Sequence, residues 1–117
     1  MIVQNLAKQK SFETKDGSSI RSILDHTNAP VRLQSLAEAS LPVDARTQRH
    51  YHRLSEEFYF ILEGTGEMTL DGETRHVCPG DAILIPPGAW HTIIATENLR
   101  FLCCCAPPYS HDDTYFE

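Results

Sequence analysis

The feature that most limits what this chain can become is His50-Tyr51-His52, followed by Glu57 and, much later, by His91 beside Pro86-Pro87-Gly88. Three imidazoles and a carboxylate are the donors that a divalent transition ion takes from a protein that leaves some coordination positions open. Residues two apart on a strand share one face with about 6.7 Å of rise between them, so both rings can lean onto a single ion. On a helix the same convergence needs a spacing of three or four. The pair therefore predicts a metal site built on β-strands.

Punctuation elsewhere agrees. Turn signals recur at Asp16-Gly17, Asn28-Ala29-Pro30, Leu41-Pro42, Gly64-Thr65-Gly66, Asp71-Gly72, Pro79-Gly80, Pro86-Pro87-Gly88 and Pro107-Pro108, and no helical period develops between them. That pattern belongs to an all-β sandwich or barrel. Strands are expected near 18–24, 31–39, 47–53, 57–63, 65–70, 73–77, 82–86, 90–96 and 99–105, with Asp71-Gly72 forming the clearest tight hairpin.

Two longer strings carry a family resemblance. His50 to Gly64 reads H-Y-H-R-L-S-E-E-F-Y-F-I-L-E-G, and Gly80 to His91 reads G-D-A-I-L-I-P-P-G-A-W-H. They resemble the two motifs of the cupin superfamily, H-x-H-x(3,4)-E-x(6)-G and G-x(5)-P-x-G-x(2)-H, in the right order. Where the first motif usually opens with a glycine this chain has Asp44, a competent turn residue, and where the second often ends in asparagine it has Ala95. The resemblance covers residues 31–106 and implies a single-domain cupin barrel, an all-β double-stranded β-helix or jelly roll. It also implies that His50, His52, Glu57 and His91 hold one divalent transition ion (Fe, Mn, Ni, Co, Cu or Zn). Spacing to Gly64 and strand phase both select Glu57 over its neighbour Glu56. Residues 1–30 would form amino-terminal strands that pair with a neighbouring barrel in a homodimer, and residues 107–117 a tail.

Strand alternation extends the site. If His50 and His52 point inward, so does Gln48; after the turn Glu57, Tyr59 and Ile61 share the inner face. Gln48 and Tyr59 are thus the expected polar neighbours of the ion, the candidates to orient a substrate. Ile93 and Ala95 follow His91 inward, joined by either Phe101, Cys103 and Cys105 or Leu102 and Cys104, so the pocket should be mainly apolar. Trp90 faces the other way and is assigned to packing between sheets. His26, His76 and His111 lie off the motifs and are assigned to surface or satisfied core positions rather than to the ion. For the tail two readings stand: a frayed terminus, or Tyr109 and His111 folded over the barrel mouth.

Composition bounds the partners. Sixteen acidic against ten basic side chains give a formal net charge of -6 without a basic cluster, which argues against nucleic acid and anionic membrane surfaces. The amino terminus shows no charged start leading into an apolar stretch, so neither a signal peptide nor a membrane span is expected. Cys103, Cys104 and Cys105 are consecutive and alternate in direction, which suits reduced thiols packed in a strand of a cytoplasmic protein. Four donors leave two adjacent positions on an octahedral ion for a small oxygenated organic molecule or dioxygen. The leading expectation is a dioxygenase-type oxidoreductase with a small-molecule substrate. A polyketide cyclase or Lewis-acid isomerase is the alternative, and a non-catalytic binding cupin the third.

Overall fold

The computed structural model describes all 117 residues. Eleven strands run as β1 (Phe12–Glu13), β2 (Ser19–Leu24), β3 (Ser35–Leu41), β4 (His50–His52), β5 (Glu56–Glu63), β6 (Gly66–Leu70), β7 (Glu73–Val77), β8 (Ala82–Ile85), β9 (His91–Ala95), β10 (Leu99–Ala106) and β11 (Thr114–Phe116). Short 3-10 turns occupy Leu6–Lys8 and His111–Asp113. The strands form two antiparallel sheets, ordered β1-β2-β3-β10-β5-β8 and β11-β4-β9-β6-β7. This is the all-β jelly roll that the motifs imply. No helix is long and apolar enough to cross a membrane.

The two sheets close over one core. Ile61, Phe101, Leu41, Ile85 and Ile93 are buried, each at an alternate position of its strand, and they meet between the sheets. At about 1.5–3 kcal/mol for each such side chain, this burial drives the closure. The turns obey local chemistry. Asp71 and Gly72 both have positive φ, 46° and 85°, as a two-residue hairpin between β6 and β7 requires. Asp44 also sits at positive φ, 73°, so it adopts the left-handed conformation of the glycine that it replaces.

The start of β4 differs from expectation. β4 is only His50–His52, because Thr47 turns its hydroxyl into the second sheet, where it accepts from Ile93 N at 3.1 Å. The amino-terminal strands belong to the main sheet: β2 pairs along β3, and only the two residues of β1 lie at that rim. The tail is ordered, since β11 pairs antiparallel with β4. Trp90 is not between the sheets; it packs edge-on against Tyr51 on the outer face, with the Arg49 guanidinium over its ring.

Gly64 ends the first motif at φ 77°, and a Cβ there would collide with the backbone of Asn98. Gly72 has a similar φ of 85° but nothing within 4 Å of the place its Cβ would take. Gly64→Ala should therefore cost at least about 2 kcal/mol, against about 1 kcal/mol for Gly72→Ala. Urea unfolding of both variants checks this: equal midpoints would show that the close approach to Asn98 has no energetic weight.

Candidate metal centre

His50 and His91 are direct cross-strand partners in β4 and β9, and His52 lies two residues on, on the same face. All three are buried, and their ligating nitrogens lie within 4.8 Å of one another. Glu57, on β5 of the opposite sheet, closes the cluster: its Oε1 is 3.4 Å from His52 Nε2 and 3.6 Å from His91 Nε2. The centre thus bridges the two sheets.

Each imidazole is aimed by its other nitrogen. His50 Nδ1 donates to Gln48 O at 2.7 Å, His91 Nδ1 to Ala89 O at 2.9 Å, and His52 Nδ1 to Asp113 O at 3.2 Å. A carbonyl only accepts, so in the neutral ring the proton sits on Nδ1 and the Nε2 lone pair is left for the interior. Glu57 is aimed in the same way: the Cys105 thiol donates to its Oε2 at 3.2 Å, leaving Oε1 for the cluster. Glu57 Oε1 and His91 Nε2 are buried with no hydrogen-bond partner. An unpaired buried polar atom costs about 1–3 kcal/mol, and an ion among these donors would satisfy both. The four residues fit a divalent transition ion in donor type, tautomer and unfilled valence.

Electrostatics prepare the same arrangement. Burial alone would raise the pKa of Glu57, but the imidazoles of His52 and His91 outweigh it and hold the carboxyl down at about 2. Burial first, and the neighbouring His91 second, push His50 down to about 4. For His52 burial also opposes the charge, yet contact with Glu57, then with Asp113, raises its pKa above the ordinary histidine value. Burial and the charge of Glu57 push the Cys105 thiol up, so it stays a donor.

A cavity of about 70 Å³ opens beside the centre, room for more than one water-sized group. Tyr59 lines it as expected, its ring packed on Phe101 at 4.6 Å between centroids. Phe101, Cys103 and Cys105 take the inner face of β10. Gln48 does not: its side chain is exposed, because it precedes β4 and lies outside that strand's alternation, and what it gives the site is its backbone carbonyl. Tyr109 lines the cavity while His111 is exposed, so half of the folded-tail reading holds. The wall is also more polar than alternation suggests, since Thr14, Asp16, Ser18 and Ser22 from the amino-terminal hairpin enter it.

Asp113 was not visible as a site residue. It is buried, its carboxylate accepts from the backbone N–H groups of Arg53, Leu54 and Ser55 at 3.1 Å each, and its carbonyl holds His52. Ser110 caps the short turn that carries it, its hydroxyl accepting from Asp112 N.

Comparison with known proteins places this architecture. Residues 37–105 match the cupin domain family. The chain belongs to the cupins. This cupin is 51% identical over 109 residues to an uncharacterized protein of Methanocaldococcus jannaschii, covering 92% of this chain and 87% of that one. It is 32% identical over 95 residues to the polyketide synthase CurC of Streptomyces cyaneus, covering 80% of this chain but 62% of CurC, less than two thirds of that protein. In structure it superposes on the polyketide cyclase RemF from Streptomyces resistomycificus with a TM-score of 0.84, covering 99% of this chain and 84% of RemF at 22% identity, a likeness of fold.

The titrations set an order of metal loss. A protonated imidazole cannot bind an ion, and His52, whose pKa is raised, takes up its proton before His50, whose pKa is lowered, as pH falls; Glu57 stays ionised down to about 2. Bound Zn²⁺, measured after equilibration and desalting, should be lost between about pH 7 and pH 5. Retention down to about pH 4 would mean that carboxylates, not imidazoles, carry the site.

Proposed function

We propose that this cupin is a metal-dependent enzyme of the Lewis-acid type, acting on a small oxygenated carbonyl compound in cyclisation or related chemistry at the α-carbon. The observation that carries the reading is the pair of buried, unpartnered atoms, Glu57 Oε1 and His91 Nε2, at a centre whose His50, His52 and Glu57 line a cavity of mixed apolar and polar wall. Structural burial of polar groups is normally matched by partners. A divalent transition ion bound there by His50, His52, Glu57 and His91 supplies Lewis acidity toward a carbonyl oxygen. The chain's own residues do the rest. Phe12, Ile20 and Phe101 offer an apolar wall for a carbon skeleton, Tyr59 and Tyr109 flank it with hydroxyl-bearing rings, and the two sheets exclude bulk water from the buried donors.

The similarity to CurC favours this reading over the dioxygenase reading, which the same four donors also permit. A homodimer belongs to the proposal as well. Phe58 and Leu84 are cross-strand neighbours on the outer face of β5 and β8, each about half exposed, with Phe60 beside them; a second copy of the chain would cover that patch.

The test uses metal-loaded protein in D₂O with a panel of 1,3-dicarbonyl compounds and β-hydroxyketones. NMR should show α-deuterium incorporation faster than with metal-free protein, while an oxygen electrode records no uptake. Oxygen consumption matched to loss of a panel member would replace this reading with the oxygenase one.

A further inference from the structure

The cavity contains a second carboxylate, Asp16, that the ligand set does not use. Asp16 sits in the turn between β1 and β2, where Gly17 at φ 94° lets the chain reverse. Its Oδ1 is saturated: it accepts from Ser18 N at 2.9 Å, from Ser18 Oγ at 2.6 Å and from the Thr14 hydroxyl. Its backbone carbonyl accepts from Gln48 N at 2.7 Å, which ties the turn to the residue whose own carbonyl aims His50. Oδ2 is left facing the histidines, 4.0 Å from His50 Nε2.

Geometry separates Asp16 from the ligands. A further donor on an octahedral ion held by three histidines on one face lies about 3 Å from at least two of them, since metal–donor bonds are about 2.1 Å. Glu57 approaches that, at 3.4 and 3.6 Å from two imidazoles. Asp16 contacts only His50, at 4.0 Å, so it stands outside the set and faces the space that a molecule bound at the centre would fill. Glu57 Oε1, in a residue only 4% exposed and without a hydrogen-bond partner, independently marks that centre as a point where a ligand converges.

Charge gives the chemical class. Glu57, Asp16 and Asp25 line the cavity, and no lysine or arginine does. Asp25 Oδ1 is engaged with Thr27, whose N–H and hydroxyl both donate to it, and Glu57 Oε2 with Cys105, while Glu57 Oε1 lies among the ligating nitrogens. Asp16 Oδ2 is the carboxylate oxygen that faces the histidines from outside the ligand set. We propose that Asp16 is the specificity-determining carboxylate of this cavity: it accepts a hydrogen bond from an ammonium or hydroxyl group of the bound molecule and turns away molecules with an anionic group at that end. The inference rests on the metal-centre reading.

Cobalt(II)-loaded protein reports binding at the ion through its visible absorption. Three probes share one chelating hydroxamate and differ at the far end: glycine hydroxamate carries an ammonium, acetohydroxamate a methyl, and malonate monohydroxamate a carboxylate. The wild-type protein should bind the ammonium probe at least about tenfold more tightly than the carboxylate probe, as a charge contact in a half-buried site allows. Asp16→Asn should cut that ratio to below about threefold at unchanged cobalt content, while Glu56→Gln, an exposed neighbour of the ligand Glu57, should leave it alone. An unchanged ratio in Asp16→Asn, or loss of its cobalt, overturns the proposal. If Asp16→Asn fails to fold by circular dichroism, Asp16→Ser takes its place, and a wild-type protein with no preference among the probes overturns the proposal without any variant. A wild-type protein that takes up no cobalt sinks the metal-centre reading itself, and this inference with it.

Discussion

Three hydrogen bonds from imidazole Nδ1 atoms to backbone carbonyls hold the centre together. They come from three different parts of the chain: the approach to β4, the turn before β9, and the carboxy-terminal tail. Each fixes both a ring's orientation and its tautomer, so three lone pairs face the same interior point. The jelly roll supplies what such an arrangement needs, two sheets close enough for β4 and β9 to present histidines to a glutamate on β5. Without the carbonyls the same residues would be three rotatable rings in a wet pocket.

The cost of this centre is electrostatic. Four donors are buried at one place, and two of their atoms, Glu57 Oε1 and His91 Nε2, have no hydrogen-bond partner there. The protein does not add a cation; no lysine or arginine reaches the cavity. A divalent ion would satisfy both atoms together. The amino-terminal hairpin then adds Asp16 to the same side, and with it the acidic character of the cavity.

The four converging donors could be read in the sequence because local rules fix them: strand alternation pairs His50 with His52, and motif spacing separates Glu57 from Glu56. Asp44 reads in the sequence as a competent turn residue, while its left-handed conformation, at φ 73°, comes from the fold. The Gln48 side chain falls outside the site because alternation holds only inside a strand, and β4 starts three residues later than the pattern suggests. Asp113, Asp16 and Cys105 were hidden more deeply. Their roles depend on partners 61, 34 and 48 positions away, namely His52, His50 and Glu57. No local period encodes such contacts; only the closure of the two sheets creates them. Cys105 in particular reads as ordinary strand packing until the register places its thiol against Glu57.

Metal stoichiometry in single variants tests the central claim most directly. Elemental analysis of purified wild-type protein and of His50→Ala, His52→Ala, Glu57→Ala and His91→Ala, with Glu56→Ala as the control, is the measurement. About one divalent ion per chain in the wild type and in Glu56→Ala, with a sharp loss in the other four while circular dichroism still shows the β-fold, is the predicted result. Full metal content in Glu57→Ala, or its loss in Glu56→Ala, would contradict the centre described here.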